Sequence, residues 1–359
     1  MIHPWLEPLW ARVIALEERL PHALLVSGAP GLGKRDFAEA LAARLLCESL
    51  RKDGEACGTC VPCQWRKTGN HPDLHRLVPA NGQAAESGEE EGEAKEGEAR
   101  EGKAASTQIV VDQMRMVQDA LAVTAHRGRR IVIVDPAEAM NAVTANALLK
   151  LLEEPPPGCH FVLVSSQVSK LLPTIRSRCQ QWPVPHPDPG QFRRWQARQD
   201  GAARIPANLL ALTGGMPLAA QRLAGQGAEA RFERFVADLR IDALDPVKLA
   251  GQWEDWLKKD KAALAQGFDL AMLVDWMQRW VSDLAMLRLG GRPRYFPGER
   301  ETLEKISARM NISDASSCYN DLLNIRRVVT HPLNLRLYLE DMLMRYTAAV
   351  GRTVRGARS

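Results

Sequence analysis

The sequence predicts an α/β domain built on a parallel, doubly wound sheet, followed by a small helical unit and an all-α domain. Three observations predict it. The apolar run ALLVSG (Ala23 to Gly28) leads into a glycine-rich loop and then a helical pattern; two further apolar runs, IVIV (Ile131 to Val134) and HFVLVSS (His160 to Ser166), alternate with helical segments; and strand-like runs cease after Pro187. Strands buried on both faces of a parallel sheet read as continuous apolar runs, and right-handed crossovers place the ligand crevice at their C-terminal ends. Gly28, Asp135 and Ser165 fall at that edge. With 359 residues, two or three domains are expected.

In chain order, a helix-like opening reaches about Leu20, and the first strand and loop follow. RDFAEALAARLLC then places Phe37, Leu41, Leu45 and Leu46 on one helix face. HPDLHRLVP reads as a short strand, and IVVDQMRMVQDALAV as a helix with Met114, Val117 and Leu121 on a common face. The strand IVIV ends in the carboxylate of Asp135; VTANALLKLLEE is a helix stopped by Pro155, Pro156 and Pro157; and LLPTIRSRCQQWPV leads out of the unit. PDPGQFRRWQARQ, ANLLALTGG and PLAAQRLAG form the small helical unit. From Arg231 to Val350 amphipathic helices alternate with short loops, and Trp253, Trp256, Trp276 and Trp280 face inward at helical spacing. The expected domains are 1–182, 183–230 and 231–359.

The net charge of +4 conceals an asymmetry. Ala80 to Thr107 carries eight Glu against Lys95, Arg100 and Lys103, which leaves about +9 on the rest and is compatible with a nucleic-acid partner. That Glu/Gly/Ala-rich segment (about 80–107) cannot bury enough apolar surface to offset the entropy of ordering, so a disordered acidic insertion is expected. No apolar run approaches the roughly 18 residues of a membrane span, and charges interrupt the N-terminal segment where an export signal would be apolar. A cytoplasmic protein without membrane contact is expected.

Seven cysteines in a reducing compartment argue against a disulfide framework. Four have a common pattern: Cys47-x9-Cys57-x2-Cys60-x2-Cys63, with Gly54, Gly58 and Pro62 supplying turns. Four closely spaced thiolates complete a closed tetrahedron around zinc, which leaves no position for water or substrate. A structural zinc staple at 47–63 is expected.

GAPGLGK (Gly28 to Lys34) matches the phosphate-binding pattern, with Gly28, Gly31, Gly33 and Lys34 as the cradle between a strand and a helix. The next position normally supplies a Ser or Thr hydroxyl to magnesium, and here it is Arg35. The cradle is kept and a metal ligand is replaced by a cation. Arg35 either contacts a phosphate oxygen or points to solvent from the first helical turn, so binding of ATP or ADP stays open while hydrolysis is disfavoured.

The phosphate loop, the inserted cysteine cluster, Asp135, NALLKLLEEPP and TIRSRC together resemble the AAA+ subunits of the bacterial DNA polymerase III clamp loader. HPLNLRLYLEDMLMRY is similar to the C-terminal end of such chains, so the resemblance covers the length apart from the acidic insertion. It implies an AAA+ domain, a helical lid and a helical collar of oligomerisation, with motor subunits (gamma/tau), the delta subunit, the sliding clamp and primed DNA as partners. It also implies Asp135 as the Walker B carboxylate. The motor subunits have Glu after it, where this chain has Pro136, and Glu138 beyond a proline-directed turn is a poor substitute. They also place a nucleotide-sensing Arg where this chain has Leu218. The chain therefore looks most like the stationary, non-hydrolysing member. Ser177-Arg178-Cys179 matches the family motif whose arginine reaches the neighbouring subunit's ATP, which implies Arg178 as a finger acting in trans, with Arg176 a second candidate contact. Two other readings compete: an active gamma/tau-like motor, and a stand-alone zinc-stabilised DNA-binding protein using Arg127, Arg129 and Arg130.

Overall fold

The computed structural model describes residues 2–16, 19–79, 107–122, 128–199, 204–240, 244–260, 268–328 and 334–351. The acidic insertion expected at about 80–107 lies, except for Thr107, outside the described residues. The chain divides into two compact units, Met1–Asp200 and Gly201–Ser359.

The first unit carries α1 (Glu7–Leu16), β1 (Ala23–Ser27), α2 (Lys34–Leu46), α3 (Val61–Lys67), β2 (Leu74–Leu77), α4 (Val111–Ala122), β3 (Arg130–Val134), α5 (Ala142–Glu153), β4 (Cys159–Ser165), α6 (Pro173–Arg178), β5 (Gln180–Pro183) and α7 (Pro189–Ala197). Its five strands run in the order β2-β3-β4-β1-β5, and every pairing is parallel. Strand residues alternate between two covered faces, as a period of two requires. Leu25, Val132, Val134, Phe161 and Leu163 meet Met114, Val117 and Leu121 of α4 and Leu148 and Leu152 of α5. On the other face α2 packs against β1, β3 and β4. Asn141 caps α5 by accepting the Thr144 N–H at 2.8 Å, and the helix stops before the proline run as expected.

Two details depart from the sequence reading. TIRSRCQQWPV does not simply leave the unit: Pro173 starts the six-residue α6, which ends at Arg178, and β5 then adds a fifth strand beside β1. QQWP buries only Trp182 fully, so it carries no apolar run to announce it. The sequence places Arg130 beside Arg127 and Arg129 in a basic group. It is buried at the start of β3, donates through Nη1 to the Leu121 carbonyl at the end of α4, and contributes nothing to a surface patch. Arg127 lies outside the described residues.

The second unit is helical: α8 (Ala207–Leu212), α9 (Pro217–Gly225), α10 (Ala228–Leu239), α11 (Pro246–Lys259), α12 (Leu270–Arg288), α13 (Arg300–Ala308), α14 (Ile312–Val328) and α15 (Leu335–Gly351). Residues 183–199 lie within the first of the two compact units. The four tryptophans are core, Trp253 and Trp280 being wholly buried, and Phe235 lies 5.8 Å from Trp253 and 5.6 Å from Trp276 by ring centroids. Such pairs contribute beyond the area they bury. Their polar edges are satisfied: Trp253 Nε1 donates to Asp238 at 2.7 Å, and Trp280 Nε1 to the Tyr346 hydroxyl at 3.0 Å.

Asp283, fully buried on α12, accepts the backbone N–H groups of Arg294, Tyr295 and Phe296 at 2.8, 2.8 and 2.7 Å. Burial pushes its carboxyl above the usual range, and the three N–H donors pull the other way. Each buried donor left without an acceptor costs about 1–3 kcal/mol, so Asp283→Ala is expected to destabilise this unit by about 3 kcal/mol or more. Urea unfolding of the full chain checks this; an unchanged midpoint would show that the loop does not depend on the carboxylate. No helix among the described residues is long and apolar enough to cross a membrane.

Candidate functional site

The phosphate loop leaves the C-terminal end of β1, where the Gly28 N–H donates to the Ser165 carbonyl at 3.2 Å and so ties the loop to the end of β4. Gly33 enters α2 with φ 77°, a left-handed conformation that disfavours other residues, and a Cβ there would stand 2.6 Å from His3 Cδ2. Lys34 is 6% exposed and donates from Nζ to the Ala29 carbonyl at 2.9 Å, folding across its own loop. Burial lowers its pKa, while Asp135 and Glu138 oppose that shift.

Arg35 settles neither on a phosphate-directed path nor in open solvent. Its Nε forms an ion pair with Asp135 Oδ2, across one hundred residues of sequence, and Asp135 is nearly buried while Arg35 is half-exposed. The residue in place of the magnesium-ligating hydroxyl thus puts its own positive charge on the strand-end carboxylate. One oxygen of Glu138 is taken: its Oε1 accepts the Ser166 N–H at 2.9 Å at the end of β4, while Oε2 is buried without a hydrogen-bond partner. Pro136 precedes the 3₁₀ turn Ala137–Ala139 and offers no polar side chain to orient water. Leu218 lies in α9 of the second unit.

Cys47, Cys57, Cys60 and Cys63 come together from the end of α2, the following loop and the start of α3, with all four Sγ atoms within 4.8 Å of one another. Zn–S bonds of about 2.3 Å in a tetrahedron demand S···S edges of about 3.8 Å. The Cys47–Cys60, Cys57–Cys63 and Cys47–Cys63 separations are 3.8, 4.0 and 3.7 Å. The cluster therefore has the dimensions of a closed four-thiolate metal site. Backbone N–H groups of Cys57 and Cys60 point at the sulfurs of Cys47 and Cys57, at 3.2 and 3.3 Å, which favours thiolate. The hydroxyl and N–H of Thr59, with the Cys60 N–H, bring the Cys57 thiol down to about 5, whereas burial pushes Cys63 up to about 12.

Arg178 ends α6 on the surface. Its Nη2 lies 2.6 Å from Glu153 Oε1, and Nη1 donates to the Thr174 carbonyl at 3.1 Å. Arg176, two residues earlier, is half-buried, and its Nε has no hydrogen-bond acceptor. Glu153 went unnoticed in the sequence, where it is one acidic residue in LKLLEE before a proline run, and no spacing rule connects it to Arg178.

A parallel sheet with a phosphate loop after its first strand and an aspartate at the end of its third defines a P-loop domain of the AAA+ class, here followed by a helical unit. The family model described as "DNA polymerase III, delta subunit" matches residues 9–188. The DNA polymerase III subunit delta' of Pseudomonas aeruginosa PAO1 is 33% identical over 357 residues, 98% of either chain. The delta' subunit of Haemophilus influenzae is 27% identical over 98% of this chain and 99% of its own. A gamma subunit-related protein of Thermotoga maritima, solved as a crystal structure, aligns with 96% of this chain and 99% of its own at 18% identity and a TM-score of 0.46. The chain belongs to the DNA polymerase III delta-prime subunit family.

Proposed function

We propose that this chain is the non-hydrolysing, stationary subunit of the DNA polymerase III clamp loader, and that it lends Arg178 to the ATP site of a neighbouring motor subunit. The Arg35–Asp135 ion pair carries the first half of the reading. Phosphoryl transfer depends on a held magnesium and an oriented water, because its catalysis is nearly all positioning and charge stabilisation. In this chain the carboxylate that would face the metal is neutralised from within, Glu138 is bonded to Ser166, and Pro136 has no acid to offer. Arg178 supports the second half: it is a partly exposed guanidinium on a short helix, with buried Ile175 and Cys179 on either side of it.

In this reading residues 1–182 form the AAA+ domain, 183–230 the lid and 231–359 the collar. Partners are the gamma/tau and delta subunits, with the sliding clamp and primed DNA engaged through the assembled complex. The metal is zinc, which four thiolates in a tetrahedron select, and it holds the 47–63 loop against the end of α2 without catalysing anything. The gamma/tau-like motor reading is disfavoured by the same Arg35–Asp135 pair, and the DNA-binding reading by the burial of Arg130.

Replacing Arg35 tests the first half. Arg35→Thr frees Asp135 and restores a hydroxyl, and is expected to tighten magnesium-dependent ATP binding at least about tenfold, roughly 1.4 kcal/mol. Hydrolysis is not expected to follow, because Pro136 remains. Calorimetric titration of the wild-type and variant chains reads this directly. Equal affinity in the two would separate Arg35 from the fate of the site, and turnover by the wild-type chain would overturn the reading.

A further inference from the structure

The guanidinium of Arg178 is held by its own chain at both terminal nitrogens. Nη2 meets Glu153 Oε1 at 2.6 Å, and Nη1 reaches the Thr174 carbonyl at 3.1 Å and Ser177 Oγ at 3.5 Å. The two side chains are 37% and 49% exposed, and an exposed pair of this kind shifts an equilibrium by no more than about fivefold. The pair therefore fixes where the guanidinium rests while adding little to the fold.

The position of Glu153 is otherwise unfavourable. It is the last residue of α5, where the helix dipole presents partial negative charge and an acidic side chain is disfavoured. Among the described residues its ion-pair partner is Arg178. Meanwhile α6 packs against α5 through buried Ile175, so the backbone beneath Arg178 is fixed and the long side chain is the part that can swing. A triphosphate offers a guanidinium more negative charge and paired oxygens, so it outcompetes a single carboxylate.

We propose that Glu153 is a latch for Arg178: a positioning residue that keeps the guanidinium on the surface of this subunit until a neighbour's triphosphate draws it away. The proposal rests on the reading of Arg178 as a finger acting in trans. Because the latch competes with the phosphate, removing its charge makes the finger easier to engage.

The test uses the complex reconstituted with motor subunits, and the isolated full chain. Glu153→Gln keeps the shape and removes the charge. It is expected to raise ATP turnover of the complex by up to about fivefold, the whole strength of such a pair, and to have no effect in an Arg178→Ala background, since two members of one interaction are not additive. In the isolated chain, NMR of the Arg178 guanidinium should show greater motion in Glu153→Gln than in wild type. Unchanged motion overturns the latch whatever the complex does. If Arg178→Ala abolishes turnover at the shared site but Glu153→Gln leaves it unchanged or lower, or acts equally without Arg178, the latch alone falls. If Arg178→Ala changes nothing, the finger falls and the latch loses its purpose.

Discussion

Arg178→Ala is expected to lower ATP hydrolysis at the site shared with the neighbouring motor subunit by about 10³-fold, the lower end of what a guanidinium supplied in trans contributes to phosphoryl transfer. The expectation follows from where the charge is placed. Arg178 is partly exposed at the end of α6, and among the described residues its polar contacts are with Glu153, Thr174 and Ser177, so removing it costs the fold little. The variant should therefore unfold at the same temperature as wild type and assemble normally. The measurement is single-turnover ATP hydrolysis in a reconstituted complex, where the contribution of one site separates from the others. A complex that assembles and keeps full hydrolysis at every site would remove the finger from the account.

Removal of the zinc proposed for the four-cysteine cluster is expected to have the second large effect. Structural zinc sites in small modules contribute apparent free energies of about 10–16 kcal/mol. Here the 47–63 segment contacts more than itself: the Gly54 carbonyl accepts from Arg44 Nη1 at 2.6 Å, the Asp53 carbonyl from Trp10 Nε1 at 3.3 Å, and Glu55 Oε1 from the Ile2 N–H at 2.9 Å. Chelation, or Cys63→Ser, is expected to free residues 47–63 and to loosen α1 with them. The sheet should survive, because the core between its strands and α4 and α5 does not include the module. Hydrogen exchange before and after chelation should show protection lost at α1 and α3 and retained at β1, β3 and β4. Purified chain with less than half an equivalent of zinc and four reduced thiols would contradict the metal assignment.

Local chemistry made much of this legible from the sequence. The loop from Gly28 to Lys34 is contiguous, the cysteines lie within seventeen residues, and β1, β3 and β4 announce themselves as apolar runs. What escaped was every pairing between distant positions. Arg35 and Asp135 are a hundred residues apart, Glu153 and Arg178 are joined across two helices and a strand, and Asp283 reaches three N–H groups of a loop eleven to thirteen residues on. Such contacts depend on how elements pack, and periodicity does not report them. Arg130 belongs with these: beside Arg129 it reads as one of a basic group open to a DNA partner until the end of α4 is placed over it. Strand β5 lacked an apolar run because only Trp182 is fully buried.

This chain contributes to catalysis only where it meets a motor subunit. Steady-state ATP hydrolysis measured on the isolated chain, on the motor subunits alone, and on their stoichiometric mixture with the delta subunit and clamp tests it most directly. No turnover is expected from this chain, with stable assembly on mixing and turnover in the mixture above that of the motor subunits by themselves. Saturable hydrolysis by the isolated chain, or a mixture that assembles without any gain in rate, would contradict it.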